Sequence, residues 1–398
     1  MNPSPSPAEP VELTVVMPCL NEAETLARCI EKAQLGFQRA QVRGEVLVAD
    51  NGSTDGSREI GTRLGARVVP VTAKGYGSAL RGGIEAASSE WIMMGDADDS
   101  YDFSDSEKFI AGLRAGNDLV MGCRMPRGGG TIMPGAMPWK NRHIGNPILS
   151  FLGRLFFRTP IQDFHCGQRA FTKTAFRRME LKTTGMEFAS EMVIKASIAN
   201  LKVAQVPITL HKDGRSRPPH LLPWRDGWRH LRFMLIYSPR WLFLLPGQVL
   251  GIGGGLAALL IYFLASSANL ETLGGLIVSC ACAIAGAQTI AIGFFTKVFG
   301  LGEGLLPENK AFTRIFSTFT LERGLILGLV LFLAGLLMMA LSGVSFAVHS
   351  FDSFLFKLIA GSTLLVLSLQ VIFSSFFMSI LGLKTTTRRP PDPGAAAG

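Results

Sequence analysis

Trp91-Ile92-Met93-Met94-Gly95-Asp96-Ala97-Asp98-Asp99 is where the fold of this chain first becomes legible. Four large apolar residues in a row fit a strand buried on both faces, and the glycine and carboxylates behind them mark a polar strand end. The same punctuation recurs on either side. Val11–Met17 is apolar and β-branched, stops at Pro18, and is followed by a helical stretch from Glu22 to about Gln34 with Leu26, Ile30 and Ala33 on one face. Strand Glu45–Ala49 runs into the turn-rich Asp50–Gly56 and a helix to Leu64. Strand Arg67–Val71 leads through Lys74–Gly77 into a helix to about Ala87. One more helix precedes strand Asp118–Gly122. This alternation predicts an α/β fold with a doubly wound, mostly parallel sheet, in which ligands bind beyond the carboxyl ends of the strands. The polar clusters all fall there.

Carboxylates this closely spaced repel one another unless a cation sits among them. Mg2+ or Mn2+ does so, taking one or two carboxylates and completing its shell with substrate phosphates. An acidic turn or helix cap is the competing reading, and the strand-end position favours the metal, with Asp96 and Asp98 as ligands. Pro18-Cys19-Leu20-Asn21-Glu22 reads equally as helix initiation or as a nucleotide-base pocket. Asp50 can hydrogen-bond a ribose hydroxyl, shape a turn, or both. Lys74-Gly75-Tyr76-Gly77 is half of a dinucleotide fingerprint, with Leu80 at the third glycine position. The absence of a Gly-x-x-x-x-Gly-Lys-Ser/Thr run argues against a P-loop kinase or ATPase.

The 398 residues, 48% hydrophobic, average two different objects. Up to about residue 240 the chain mixes polar and apolar positions; beyond it four spans of membrane length follow, roughly Trp241–Leu264, Leu273–Val298, Leu325–Val348 and Leu355–Leu383. Arg225, Arg229, Arg232 and Arg240 precede the first span, Lys297, Lys310, Arg314 and Arg323 lie between the second and third, and Lys384, Arg388 and Arg389 follow the fourth. The loops Ala265–Thr272 and His349–Phe354 carry no Lys or Arg, which places both termini and the polar half in the cytosol. The net charge of +9 then points to anionic lipid and phosphate rather than nucleic acid, for which there is no motif. Six cysteines without zinc-type spacing are expected as reduced thiols. Pro3–Pro10 lacks the apolar core of a signal peptide. Residues 125–146, rich in Gly, Pro and Met with Trp139, Lys140 and Arg142, suit a mobile loop at the membrane interface, and 218–232 suits a segment in the headgroup layer.

Taken together, Pro18–Glu22, Asp50–Ser57, the Gly75/Gly77 loop and Asp96-Ala97-Asp98 resemble family 2 glycosyltransferases of the GT-A fold, and most closely the dolichyl- or polyprenyl-phosphate sugar transferases. The resemblance covers about residues 13–240. It implies that Pro18, Asn21, Glu22, Asp50, Asn51, Ser53, Gly75 and Gly77 line the nucleotide-sugar site, with Asp96 and Asp98 at metal and diphosphate; Ser100 stands where some relatives carry Gln. It further implies that Arg124 grips the acceptor phosphate, with Lys140, Arg142, Arg215 and Arg217 as further candidates, Arg217 standing in for the Lys of a Gly-x-Ser-Lys loop. Asp163 opens a family segment running to Arg169, and is expected to orient an arginine or a sugar hydroxyl. Glu187 and Glu191 match acidic residues on the following helix.

The expected organisation is a disordered tail (1–12), a Rossmann-like GT-A domain (13–212), an interfacial segment (213–240), four transmembrane helices (241–384) and a second tail (385–398). The expected activity is inverting transfer from GDP-mannose or a UDP-hexose to a polyprenyl or dolichyl phosphate, with Mg2+ or Mn2+, at the cytosolic face of a membrane, the plasma or inner membrane in a bacterium. Self-association is left open. Two rivals are a processive polysaccharide synthase, whose Gln-x-x-Arg-Trp segment is missing, and an inactive flippase or scaffold, which the intact carboxylate run argues against.

Overall fold

The computed structural model describes residues 10–216, 223–265, 269–302, 320–348 and 351–386. The chain forms two compact units, Met1–Met234 and Leu235–Gly398. Arg217, Lys310, Arg314, Arg388, Arg389 and most of both expected tails lie outside the described residues.

The first unit is built on a seven-stranded sheet in the order β3-β2-β1-β4-β7-β5-β8. Its strands are β1 (Leu13–Cys19), β2 (Gly44–Asp50), β3 (Arg67–Pro70), β4 (Trp91–Met94), β5 (Leu119–Cys123), β7 (Arg169–Thr172) and β8 (Val203–Pro207). A two-stranded sheet pairs β6 (Thr131–Ile132) with β9 (Thr209–Leu210). Helices α1 (Leu26–Ala40), α2 (Ser57–Arg63), α3 (Tyr76–Ala86), α4 (Ser106–Arg114), α5 (Asn146–Phe157), α6 (Lys173–Met179), α7 (Phe188–Ile198) and α8 (Pro223–Ile236) complete it. Val15, Met17, Val48 and Met93 are buried, as are Leu26, Ile30 and Phe37 of α1, which pack over the same sheet face. Each such side chain contributes roughly 1.5–3 kcal/mol by leaving water.

Within the seven-stranded sheet the pairings are parallel except those of β7, which runs antiparallel between β4 and β5. β7 therefore begins at the edge where β1, β2, β4 and β5 end. The segment before Arg169 joins the loops after Cys19, Asp50, Met94 and Cys123 along one edge.

Two expected boundaries shift. β1 continues through Pro18, which pairs with Ala49, and Cys19 with Asp50. α1 starts at Leu26 rather than Glu22, because Asn21 adopts a left-handed backbone (φ 60°) and the amides of Asn21, Glu22 and Ala23 bond Ser53, Ser57 and Asp55. These side chains satisfy donors that a helix would otherwise leave open.

The second unit contains α9 (Leu245–Leu264), α10 (Leu270–Gly302), α11 (Leu321–Ala347) and α12 (Phe351–Thr386). Among the described residues, four segments are long and apolar enough to cross a membrane. They overrun the apolar spans because helix continues into the flanking polar residues. Small residues carry the packing. Gly286 lies against Gly247 and Gly251, and Gly324 and Gly328 meet Ser375 and Ile372, whereas Gly255 meets nothing.

Candidate active site

The carboxylate turn sits between two differently engaged neighbours. Asp98 Oδ1 accepts from the Ser100 amide (3.1 Å) and hydroxyl (2.6 Å), and its Oδ2 accepts from Arg215 Nη2 (2.5 Å). Asp99 turns away with φ 65° and pairs with Arg28 (3.2 Å) and Lys32 (2.7 Å) on α1. Asp96 keeps Oδ1 buried with no hydrogen-bond partner among the described residues. Burial and the charge of Asp98 push its carboxyl up to about 6, against the lowering pull of the Tyr76 hydroxyl, Arg215 and Arg124. Among the described residues, no group of three or more His, Cys, Asp or Glu side chains surrounds a metal position, so any ion there would complete its shell from substrate oxygens.

The residues expected at the nucleotide-sugar site are knitted to one another. Asp50 accepts from the amides of Gly52 and Ser53 and from Arg58 (2.5 Å); burial pushes its pKa up, but Ser53 and Arg58 outweigh that and hold it below the usual range. Asn51 ties down the next loop, donating to Val71 and Ala73 and accepting from the Gly75 amide. Ser53 Oγ accepts from Asn21 N, and Asn21 Oδ1 from Thr54 N. Glu22 Oε1 meets Arg215 Nη1 at 3.1 Å, so one guanidinium bridges the first strand's loop and the carboxylate turn. The Gly75/Gly77 loop has a packing explanation. Gly77 and Ser78 donate to the Thr184 carbonyl (2.9 and 3.2 Å), and a Cβ on Gly75 or Gly77 would run into the Thr184 or Thr183 carbonyl. The start of α3 is thus capped by the chain itself. Glu191, buried on α7, holds that capping loop by accepting from the amides of Lys182 and Thr183.

Arg124 and Asp163 form a buried bidentate pair, Nε–Oδ2 2.7 Å and Nη2–Oδ1 2.9 Å, and Asp163 also accepts the Arg124 amide. Asp163 is 0% exposed and Arg124 7%. Burial works against the Arg124 cation, and Asp163 overcomes it, raising its pKa well above the ordinary value. The Tyr101 hydroxyl accepts from Arg124 (3.4 Å) and from the Gly167 amide (2.9 Å). No hydrogen bond or ion pair among the described residues joins Lys140 or Arg142 to this cluster; Lys140 is exposed and Arg142 half-buried, beside an exposed Trp139. Three contributors carried no independent signal in the sequence: Tyr76, Tyr101 and Arg169. Arg169 is fully buried and donates to three carbonyls, those of Phe164, Cys166 and Ala189.

Fold and site define the class: a mostly parallel α/β domain, joined in one chain, among the described residues, to four helices long and apolar enough to cross a membrane. The profile of Glycosyl transferase family 2 matches residues 14–179, and that of the Glycosyltransferase family 2 C-terminal transmembrane region matches 294–382. The low-salt glycan biosynthesis hexosyltransferase Agl6 of Haloferax volcanii is 36% identical over 379 residues, 93% of this chain and 89% of that one. The chain belongs to glycosyltransferase family 2. The dolichyl-phosphate hexose transferase of the same organism is 29% identical over 54% of this chain and 89% of its own. Glucosyl-3-phosphoglycerate synthase from Mycobacterium tuberculosis is a looser structural likeness, with TM-score 0.44 and 21% identity over 57% of this chain and 78% of that one. The protein is an integral membrane glycosyltransferase with a GT-A fold.

Proposed function

We propose that the enzyme transfers a hexosyl group from GDP-mannose or a UDP-hexose to a polyprenyl or dolichyl phosphate, with inversion, at the cytosolic face of the membrane. The observation that carries this reading is the unpartnered, buried Oδ1 of Asp96 beside Asp98, at the edge where β1, β2 and β4 end. The donor set fits a divalent cation: Asp96 and Asp98 would hold Mg2+ or Mn2+, which when bound neutralises the leaving diphosphate. Asp50, Asn21 and Glu22 face the nucleoside half, and Arg215 supplies positive charge between them and the carboxylates. The acceptor arrives as an anion and attacks without first losing a proton, so this chain's task is to hold two anions close together. In this reading Arg124, fixed by Asp163, provides cationic charge at the floor, while Lys140 and Arg142 meet the phosphate at the membrane side. Support for that side comes from α5, whose Ile148 (52%) and Phe151 (55%) are exposed, as suits a helix resting on lipid.

The 213–240 segment, of which 217–222 lie outside the described residues and which carries Trp228 60% exposed on α8, is assigned to the headgroup layer, and the cation-bearing loops favour a cytosolic position for residues 1–240. The dolichyl-phosphate hexose transferase among the relatives agrees with the acceptor proposed. Asp98→Ala should lower hexose transfer by roughly a hundredfold or more, and EDTA should abolish it. Activity that survives EDTA contradicts the metal assignment.

A further inference from the structure

The membrane unit holds a cation that lies outside the candidate active site. Lys357 lies on α12, half-buried, and its Nζ donates to Ser345 Oγ on α11 at 2.8 Å. That hydroxyl is saturated. It gives its own proton to the Leu341 carbonyl (3.0 Å) and lies 3.3 Å from Ser353 Oγ. An ammonium has three N–H donors, so two remain after Ser345. Among the described residues, no carboxylate pairs with Lys357, although Asp352 precedes it on the same helix. Among the described residues its hydrogen-bond partner is a hydroxyl and no ion pair reaches it, and ionisable groups in a spanning helix default to a functional role.

Depth identifies the counter-charge. The span Phe351–Leu381 has 31 residues, about 46 Å of helix against roughly 30 Å of hydrocarbon, which leaves about 8 Å beyond the core at each end. Lys357 lies six residues, about 9 Å, from the start of the span. That sets its backbone about 1 Å inside the hydrocarbon edge, from where the long lysine stem carries the ammonium out to the lipid phosphates. Next to it Phe346 (62% exposed) and Phe354 stand 5.1 Å apart, an apolar shoulder for an acyl or prenyl chain. The loops at this end, 265–272 and 349–354, contain no Lys or Arg, so Lys357 does not compete with a general basic surface.

We propose that Lys357, oriented by the Ser345 hydroxyl, binds the phosphodiester of a lipid in the leaflet facing the α11–α12 turn, which on the proposed topology is opposite the leaflet of catalysis. Two of its N–H groups meet phosphate oxygens, as a point-charge contact. The lipid is either a bulk anionic phospholipid or a polyprenyl-phosphate sugar that has crossed the bilayer. Both present the same group.

The test uses the full-length protein in detergent, with ligand retention followed by native mass spectrometry. The probes are dioctanoyl-phosphatidylglycerol, dioctanoyl-phosphatidylcholine and a short polyprenyl-phosphate hexose. Wild type should bind phosphatidylglycerol at least tenfold more tightly than phosphatidylcholine. Lys357→Gln, which keeps a hydrogen-bond donor for Ser345, should lose that preference, and Lys357→Arg should keep it. If the hexose phosphodiester depends on Lys357 at least tenfold more than phosphatidylglycerol does, the ligand is the glycosylated lipid; equal dependence identifies bulk anionic lipid. Unchanged binding of both anionic probes to Lys357→Gln overturns the site, as does equal loss in the Gln and Arg variants.

Discussion

Replacing Asp163 by Asn tests the organisation of the active-site floor. The substitution keeps the size of the side chain but removes the charge that holds the Arg124 guanidinium at 2.7 and 2.9 Å. Because Asp163 is 0% exposed and Arg124 only 7%, the remaining cation is left buried without a counter-ion, at a cost of about 3–5 kcal/mol. For a unit of this size each kcal/mol lowers Tm by roughly 2–4 °C, so a drop of about 6–20 °C is expected. The assay is thermal unfolding of the full-length protein in detergent, following the transition of the soluble unit. The double variant Arg124→Met/Asp163→Leu removes both charges and should cost less than the sum of the two single changes. A shift under about 2 °C for Asp163→Asn, or strict additivity in the double variant, would refute the view of Asp163 as the partner of Arg124 and reopen a proton-accepting role.

His165 supplies a pH dependence. It is half-buried, its ring nitrogens are enclosed with no hydrogen-bond partner among the described residues, and His230 lies 4.7 Å away ring to ring. Burial, then the neighbouring His230 and arginines, holds its pKa well below 6.5. The unfolded chain takes up this proton below about pH 6.5 and the folded chain does not, so the stabilisation is complete above that pH and is lost on acidification, by up to about 1.4 kcal/mol per pH unit. The Tm of wild type should fall from pH 7.5 to 5.5 more steeply than that of His165→Gln, and parallel curves would show that His165 does not titrate as described. Membrane topology is open to cysteine labelling of intact cells. A cysteine at Asn269 should react from outside and one at Asn2 should not, and the reverse pattern contradicts the cytosolic placement.

The parts of the fold that read correctly from sequence are those with strong local signals. The run 91–94 announced its strand because all four side chains are large and apolar, and the membrane spans announced themselves by length. β7 gave no such signal, since a four-residue strand that begins with Arg169 has neither alternation nor an apolar run. Only three carbonyl acceptors make that arginine tolerable inside the sheet. The start of α1 was misplaced because Asn21-Glu22 has good helix-opening chemistry, which the tertiary bonds from Ser53, Asp55 and Ser57 override. The Gly75/Gly77 loop resembled a phosphate cradle locally, while its neighbour in space, the Thr183–Thr184 backbone, lies more than a hundred residues away in sequence. At the site, the carboxylate turn was visible as a cluster. Its division into an unpartnered Asp96, an Arg215-bound Asp98 and an Asp99 turned toward α1 depends on Arg215, Lys32 and a left-handed backbone, none of which the cluster itself encodes.

The central claim is that the sugar is delivered to a lipid phosphate and that no side chain must first remove a proton from it. The most direct measurement gives the full-length enzyme a radiolabelled nucleotide-hexose together with either a polyprenyl phosphate or the matching polyprenol, and follows label entering the lipid phase from pH 5 to 9. The account predicts transfer to the phosphate alone, with a rate that rises through the acceptor's second pKa of about 6 and then stays level. Equal transfer to the free alcohol would contradict it.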